Sequence, residues 1–154
     1  MTLRYHTPLS PEEQIAYGLE QPQTLAVADR VRYGELDILN HVNNKAYMSW
    51  CETLRVEYGT LMCRPHFDVE PRAVLRNADI RFVKEMHMGE SYVVTAACAA
   101  FRTSSYTIRQ QIWSGDLRAT MDAVMVMLTP DGSARMPLPD RLRDQFLSEG
   151  AVAS

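Results

Sequence analysis

VRYGELDILNHVNNKAYMSWCETLR, residues 31–55, is the stretch on which the reading of this chain turns. Tyr47, Cys51, Leu54, Tyr58 and Leu61 recur at spacings of four and three, tracing one apolar face of a helix from Asn44 to Met62. Met48 and Trp50 widen that stripe, so the helix is expected to be covered on more than one side. Asn43 fits the N-cap, with Val42 just before it and Tyr47 at the fourth helical position, the spacing of a hydrophobic staple. Arg64-Pro65 closes the segment, because proline disfavours helix at the residue before it. Asp37 and His41 stand just ahead of the helix start. First-turn amides lack intrahelical partners, so a carboxylate facing them marks a place where a carbonyl can be attacked and the developing oxyanion bound.

Outward from this segment the pattern changes period. Upstream, Ser10-Pro11-Glu12-Glu13 carries helix-start chemistry for a short helix to about Tyr17 or Leu19, and Thr24 to Tyr33 alternates as a first strand. Downstream, Val74, Ala78, Ile80 and Phe82 alternate with polar neighbours, and Tyr92 to Phe101 is apolar enough for a buried strand. Tyr106 to Ile112 and Leu117 to Leu128 supply two more strands across the Ser114-Gly115-Asp116 turn, and Pro139 to Leu147 suggests a closing helix. Short turns favour an antiparallel meander, so the expected class is α+β: one long helix on a strongly curved antiparallel sheet. The chain of 154 residues reads as one domain, 1–154, with residues 1–23 as an N-terminal extension bearing the short helix.

Composition narrows the function classes. Hydrophobic content of 46% and charged content of 23% are ordinary for a water-soluble domain. A net charge of -3 with 16 scattered Lys and Arg argues against a nucleic-acid partner. No apolar run approaches the ~18 residues of a membrane span, and MTLRYHTPLSPEEQ lacks the apolar core of a secretory signal. Cys51, Cys63 and Cys98 are odd in number, sit in apolar contexts and form no CxxC pair, so reduced, buried thiols and a cytoplasmic location are expected. His66 and His87 are far apart with no ligand-like spacing, and no metal is expected. The alternating Met121, Met125 and Met127 read as core and interface packing.

An aspartate followed by HVNN and then Tyr47 resembles the signature of the hotdog-fold thioesterases of the 4-hydroxybenzoyl-CoA thioesterase type, in which an antiparallel sheet wraps one long helix. The resemblance runs from Leu25 to Leu142 and includes Ala134-Arg135-Met136-Pro137-Leu138-Pro139, which looks like the proline-bearing end of such chains. It implies that Asp37 is the catalytic carboxylate, as nucleophile or general base, and that an amide near Asn44 polarises the thioester carbonyl. Plant acyl-ACP thioesterases carry a related D-x-N-x-H-V-N-N pattern, but Leu39 stands where that pattern has its catalytic asparagine. The implied activity is hydrolysis of an acyl-CoA with no cofactor, CoA entering only as part of the substrate. The implied assembly is a homodimer or homotetramer with sites at the subunit boundary.

The remaining candidates follow from that chemistry. His41 is expected to orient Asp37 or a water, to donate to the substrate carbonyl, or simply to pin the loop to the helix. Asn43 and Tyr47 are expected to border the substrate. CoA carries a pyrophosphate and a ribose phosphate, which makes Arg81, Lys84 and Arg109 its candidate partners. Glu52 and Arg55, three apart, are expected to pair on the helix surface or at a subunit contact. An acyl carrier protein as donor, or a non-catalytic module that binds acyl thioesters, are the competing readings.

Overall fold

An isolated helix of 15 residues is marginal in water, so the segment starting at Asn44 depends on what covers it. In the computed structural model, which describes residues 2–154, the elements are α1 (Pro11–Ala16), β1 (Leu25–Arg30), α2 (Asn44–Tyr58), β2 (Arg72–Phe82), β3 (Ser91–Phe101), β4 (Ser105–Trp113), β5 (Leu117–Leu128), α3 (Asp140–Ser148) and β6 (Val152–Ala153). Met1, the first residue of the expected extension, lies outside the described residues. Ala46, Tyr47, Trp50, Cys51, Leu54 and Tyr58 of α2 are buried against the inward residues of β1, β3, β4 and β5. Each large apolar side chain so covered contributes roughly 1.5–3 kcal/mol, enough in sum to hold the helix. The hotdog arrangement is the one observed.

α2 does not run to Met62 as an α-helix. After Tyr58 the chain makes a π turn over Gly59–Cys63 and a 3₁₀ turn over Arg64–His66. A π turn takes in an extra residue and so advances the phase of the face. Cys63 is thereby turned inward at 2% exposure, while Leu61, expected on the buried stripe, is 46% exposed.

β3, β4 and β5 form the expected meander, but β2 does not join it beside β3. It pairs antiparallel with β5, giving the order β1-β3-β4-β5-β2, with β6 added parallel to the end of β3. Local alternation sets which face a residue takes, not which edge a strand joins. A register shift between Leu75 and Asn77 also breaks the single alternation of β2. Ala78, Ile80 and Phe82 share one face, and beyond the bulge Ala73 and Leu75 take it over, opposite Met127 and Met125.

The link of residues 83–90 therefore crosses one end of the sheet, and Arg118 fastens it. Its guanidinium donates to the carbonyls of Glu85 (2.9 Å) and Ser114 (2.8 Å) and pairs with Glu90 (3.0 Å) and Asp116 (2.5 Å). The backbone of Arg118 accepts from the amides of Val83 and Lys84 as well.

β3 is buried on both faces because the N-terminal segment covers the second one. Leu3, Leu9 and Leu19 pack with Ala26, Ala28, Val93 and Trp113. α1 starts on a capping box in which Ser10 Oγ accepts from the Glu13 amide and the Glu13 carboxylate accepts from the Ser10 amide. At the other end of the chain, the Tyr58 hydroxyl and the Cys98 amide both donate to the Glu149 carboxylate, tying α3 to α2 and β3.

Arg118→Ala removes a nearly buried cation and leaves two carboxylates and two carbonyls facing each other. Loss of stability on the order of 3 kcal/mol is expected, read as a lower midpoint in urea unfolding with an unchanged slope.

Candidate active site

The loop that carries Asp37 is closed by its own backbone. The Asp37 amide donates to His41 O (2.8 Å) and the Asn40 amide to Asp37 O (3.0 Å), with Asn40 in the left-handed region at φ 59. Asn tolerates that conformation better than most residues. Inside this turn Asp37 Oδ1 accepts from the amides of Leu39 (2.9 Å) and His41 (3.3 Å). Among the described residues nothing claims Oδ2, so one carboxylate oxygen anchors the loop and the other is left open.

Two contacts aim the loop at the helix. Glu35 O accepts from the Asn43 amide (2.7 Å), and Glu35 Oε2 accepts from Trp50 Nε1 (2.6 Å). Asn43 caps α2, its side chain accepting from the Lys45 amide (2.9 Å), while the Ala46 amide donates to Asn43 O (2.9 Å). With Asn43, Lys45 and Ala46 engaged, the Asn44 N–H is left without a partner among the described residues. Val42 (4% exposed) and Tyr47 (3%) are buried together at the staple positions.

Asp37 and Asn44 line one cleft of about 380 Å³, together with His41, Tyr47, Lys84 and Glu85. Phe82 at the end of β2 forms the opposite wall and meets the Tyr47 ring edge-on at 5.1 Å. Burial raises the Tyr47 phenol above its ordinary value, so it stays protonated. Asp37, Asn44 and the protonated Tyr47 thus line one opening.

The sequence profile described as the thioesterase-like superfamily matches residues 31–146, three quarters of the chain and all of this site. The chain belongs to that superfamily. Its chemistry is thioester hydrolysis. No curated protein matches the chain. The solved structure of a thioesterase superfamily protein from a Jannaschia species superposes with a TM-score of 0.90 at 38% identity, covering 99% of this chain and 100% of that one. A thioesterase from Thermus thermophilus, complexed with coenzyme A and zinc, gives 0.70 at 23% identity over 81% of this chain and 98% of its own. A 1,4-dihydroxy-2-naphthoyl-CoA thioesterase from Synechocystis gives 0.65 at 15% identity over 79% and 94%. At the last two identities the likeness is one of fold.

Not every candidate residue of this thioesterase comes to the cleft. Lys84 does, although its ammonium pairs with Asp116 at 3.0 Å. Arg109 does not: it lies between the inward-facing Ile108 and Gln110 and forms a two-point pair with Asp122 of β5 on the outer face of the sheet. Arg81 is exposed on β2 between Ile80 and Phe82, again on the outer side. Glu52 and Arg55 do not pair. Arg55 is 8% exposed and donates to Gln110 Oε1 (3.2 Å), beneath the helix, while Glu52 is exposed.

That buried guanidinium lines a second cavity of about 350 Å³ along the same α2–β2 seam, with Val56, Leu75, Met125 and Met127 among its walls. Residues not expected at the site also prove structural to it: Glu35, Trp50, Phe82, Glu85 and His87. Sequence pattern marks Trp50 and Phe82 only for packing, and Glu35 stands three residues after Arg32, from whose amide it accepts at 2.8 Å. His87, expected in a solvated or packing role, meets His41 edge-on at 5.0 Å.

The three cysteines are excluded as nucleophiles. Burial pushes the Cys51 and Cys63 thiols up to about 12, and burial raises Cys98 too. At pH 8 only about 10⁻⁴ of such a thiol is thiolate. An aromatic disulfide reagent at pH 8 should therefore leave the folded protein unlabelled over minutes and titrate three thiols after unfolding in guanidinium. Fast labelling of any one of them in the folded state would contradict this burial.

Proposed function

We propose that this chain is an acyl-CoA thioesterase that splits an acyl-CoA into the free acid and CoA with Asp37 as its catalytic carboxylate. The observation that carries the reading is the shared cleft: Asp37, with Oδ2 unengaged, and Asn44, with its amide unclaimed, line the same opening. The thioester carbonyl oxygen is placed against the Asn44 N–H, where the helix dipole and an unsatisfied donor stabilise the charge that builds on it. In the nucleophilic route Asp37 attacks the carbonyl carbon, the C–S bond breaks, and the CoA sulfur leaves and takes a proton. Water then hydrolyses the mixed anhydride and restores the carboxylate. In the general-base route Asp37 takes a proton from water as that water attacks, and the sulfur then leaves from the tetrahedral intermediate and receives that proton, which restores the carboxylate. His41 and Tyr47 border the reacting group and orient the carbonyl or the water.

The acyl part is assigned to the seam between α2 and β2, where the second cavity lies. The CoA-complexed Thermus neighbour supports CoA as the carrier, with Lys84 as the cleft residue nearest in kind to a phosphate partner. No helix among the described residues is long and apolar enough to cross a membrane. Buried reduced thiols support a cytoplasmic setting.

The chain is further proposed to act as one domain within a homodimer. β2 is an 11-residue edge strand with one side unpaired, and its Leu75 and Phe82 are 43% and 44% exposed. A long exposed edge of this kind is a template for another strand, and a second copy of β2 fits it. Sedimentation equilibrium should give twice the mass of the 17.5 kDa chain.

Asp37→Ala should lower kcat by about 10²–10⁴-fold on whichever acyl-CoA is turned over, with KM changed far less. Free thiol released from a panel of short, long, aromatic and charged acyl-CoAs, followed with a chromogenic thiol reagent, measures it. Equal rates for wild type and variant across the panel would remove Asp37 from the chemistry.

A further inference from the structure

Three side chains that are distant in sequence are gathered by one backbone contact. The Val42 amide donates to Met86 O at 2.9 Å, joining the loop ahead of α2 to the β2–β3 link. Val42 and Met86 both point inward, at 4% and 0% exposure. His41 on one segment and Glu85 and His87 on the other flank this contact and are half-buried or exposed. One donor atom from each of these three lies within 4.8 Å of the other two.

We propose that His41, Glu85 and His87 bind one divalent transition-metal ion of the zinc class at the mouth of the Asp37 cleft. Two imidazoles and a carboxylate are the donor set of open zinc sites, and imidazole ligation selects such ions over calcium or magnesium. Donors at about 2.1 Å from one tetrahedral ion stand roughly 3.4 Å apart, so the cluster closes on an ion by modest side-chain rotation. All three side chains are half-buried or exposed and have room to make that rotation.

Their backbones, by contrast, are fixed. The His41 amide and carbonyl are held by Asp37, Glu85 O accepts from Arg118 Nη1, and the His87 amide donates to Glu90 Oε2 at 2.6 Å. Among the described residues no hydrogen bond claims the ring nitrogens of His41 and His87, and the Glu85 carboxylate has no ion pair and accepts from its own backbone amide. The ligands are thus positioned, with only that local hydrogen bond at Glu85 to give way to an ion. His41 and Glu85 also line the Asp37 cleft, so the ion's remaining position is available to a water or an anionic oxygen lodged there. The site is independent of the hydrolysis reading, since binding is measured with no thioester present.

Isothermal titration calorimetry of the full chain with zinc chloride tests it. One ion per chain is expected, with affinity at least about tenfold weaker in both His87→Ala and Glu85→Gln. Cobalt chloride should give the intense visible bands of a tetrahedral site in the wild type and not in His87→Ala. Thermal melts of the metal-free variants should match the wild type, since both side chains project from the surface. No heat of binding overturns the proposal. So does zinc binding that is unchanged in both variants, which would place the ion elsewhere, such as beside His6 and Asp29.

Discussion

The Glu35 carboxylate is the tie on which the geometry of the site depends. One oxygen accepts from the indole of Trp50 in α2 and the other from the Arg32 amide, while the Glu35 carbonyl takes the Asn43 amide at the helix start. Trp50 in turn stacks on Tyr92 of β3 with ring centroids 3.9 Å apart and 20° between planes. One residue thus links loop, helix and sheet. A hydrogen bond to a charged acceptor is about twice as strong as a neutral one, and this one lies where the indole would otherwise be buried without a partner. Without it the Asp37 turn keeps its internal hydrogen bonds but loses its bearing on the helix.

The two connections that border the cleft are stabilised by opposite means. The loop ahead of α2 uses a carboxylate to collect donors. The β2–β3 link uses a cation, Arg118, to collect carbonyls and carboxylates. They meet at the Val42–Met86 contact, where two buried apolar side chains keep water from competing. Neither segment has the regular hydrogen bonding that would fix it alone. Polar clamps take that role on the rim of a sheet whose interior is held by packing.

Much of this was legible in the residues, for reasons that can be located. The α2 stripe, the Asn43 cap and the Asp37–Asn44 relation are encoded within about ten residues, where pattern and capping chemistry act locally. β3, β4 and β5 are joined by short turns, so their order follows from chain geometry. The position of β2 does not, because its link is long enough to reach either edge and its alternation is the same at both. The bulge after Leu75 and the π turn after Tyr58 each add one residue to a repeat, which shifts the facing of everything beyond them. Arg109 and Arg81 carried the right charge, but period-2 facing turned them to the outer side of the sheet. The partnership of His41 with His87 was invisible for the same reason as β2: it is made by a contact between segments, not within one.

The fold pairs its buried polar groups and leaves others open at its rim. Among the described residues every buried side-chain nitrogen and oxygen has a partner, including Gln14 and Gln110, each almost wholly enclosed. An unsatisfied buried polar group costs about 1–3 kcal/mol, so such completeness in the core is what a stable domain requires. Against it, the Asn44 amide, Asp37 Oδ2 and the unclaimed nitrogens of His41 stand out because their residues line one cleft, with the His87 ring beside His41. Water can satisfy each of them in the free protein, so leaving them open costs little until a substrate displaces it. The core therefore tolerates no spare donor, whereas the rim keeps several open to solvent.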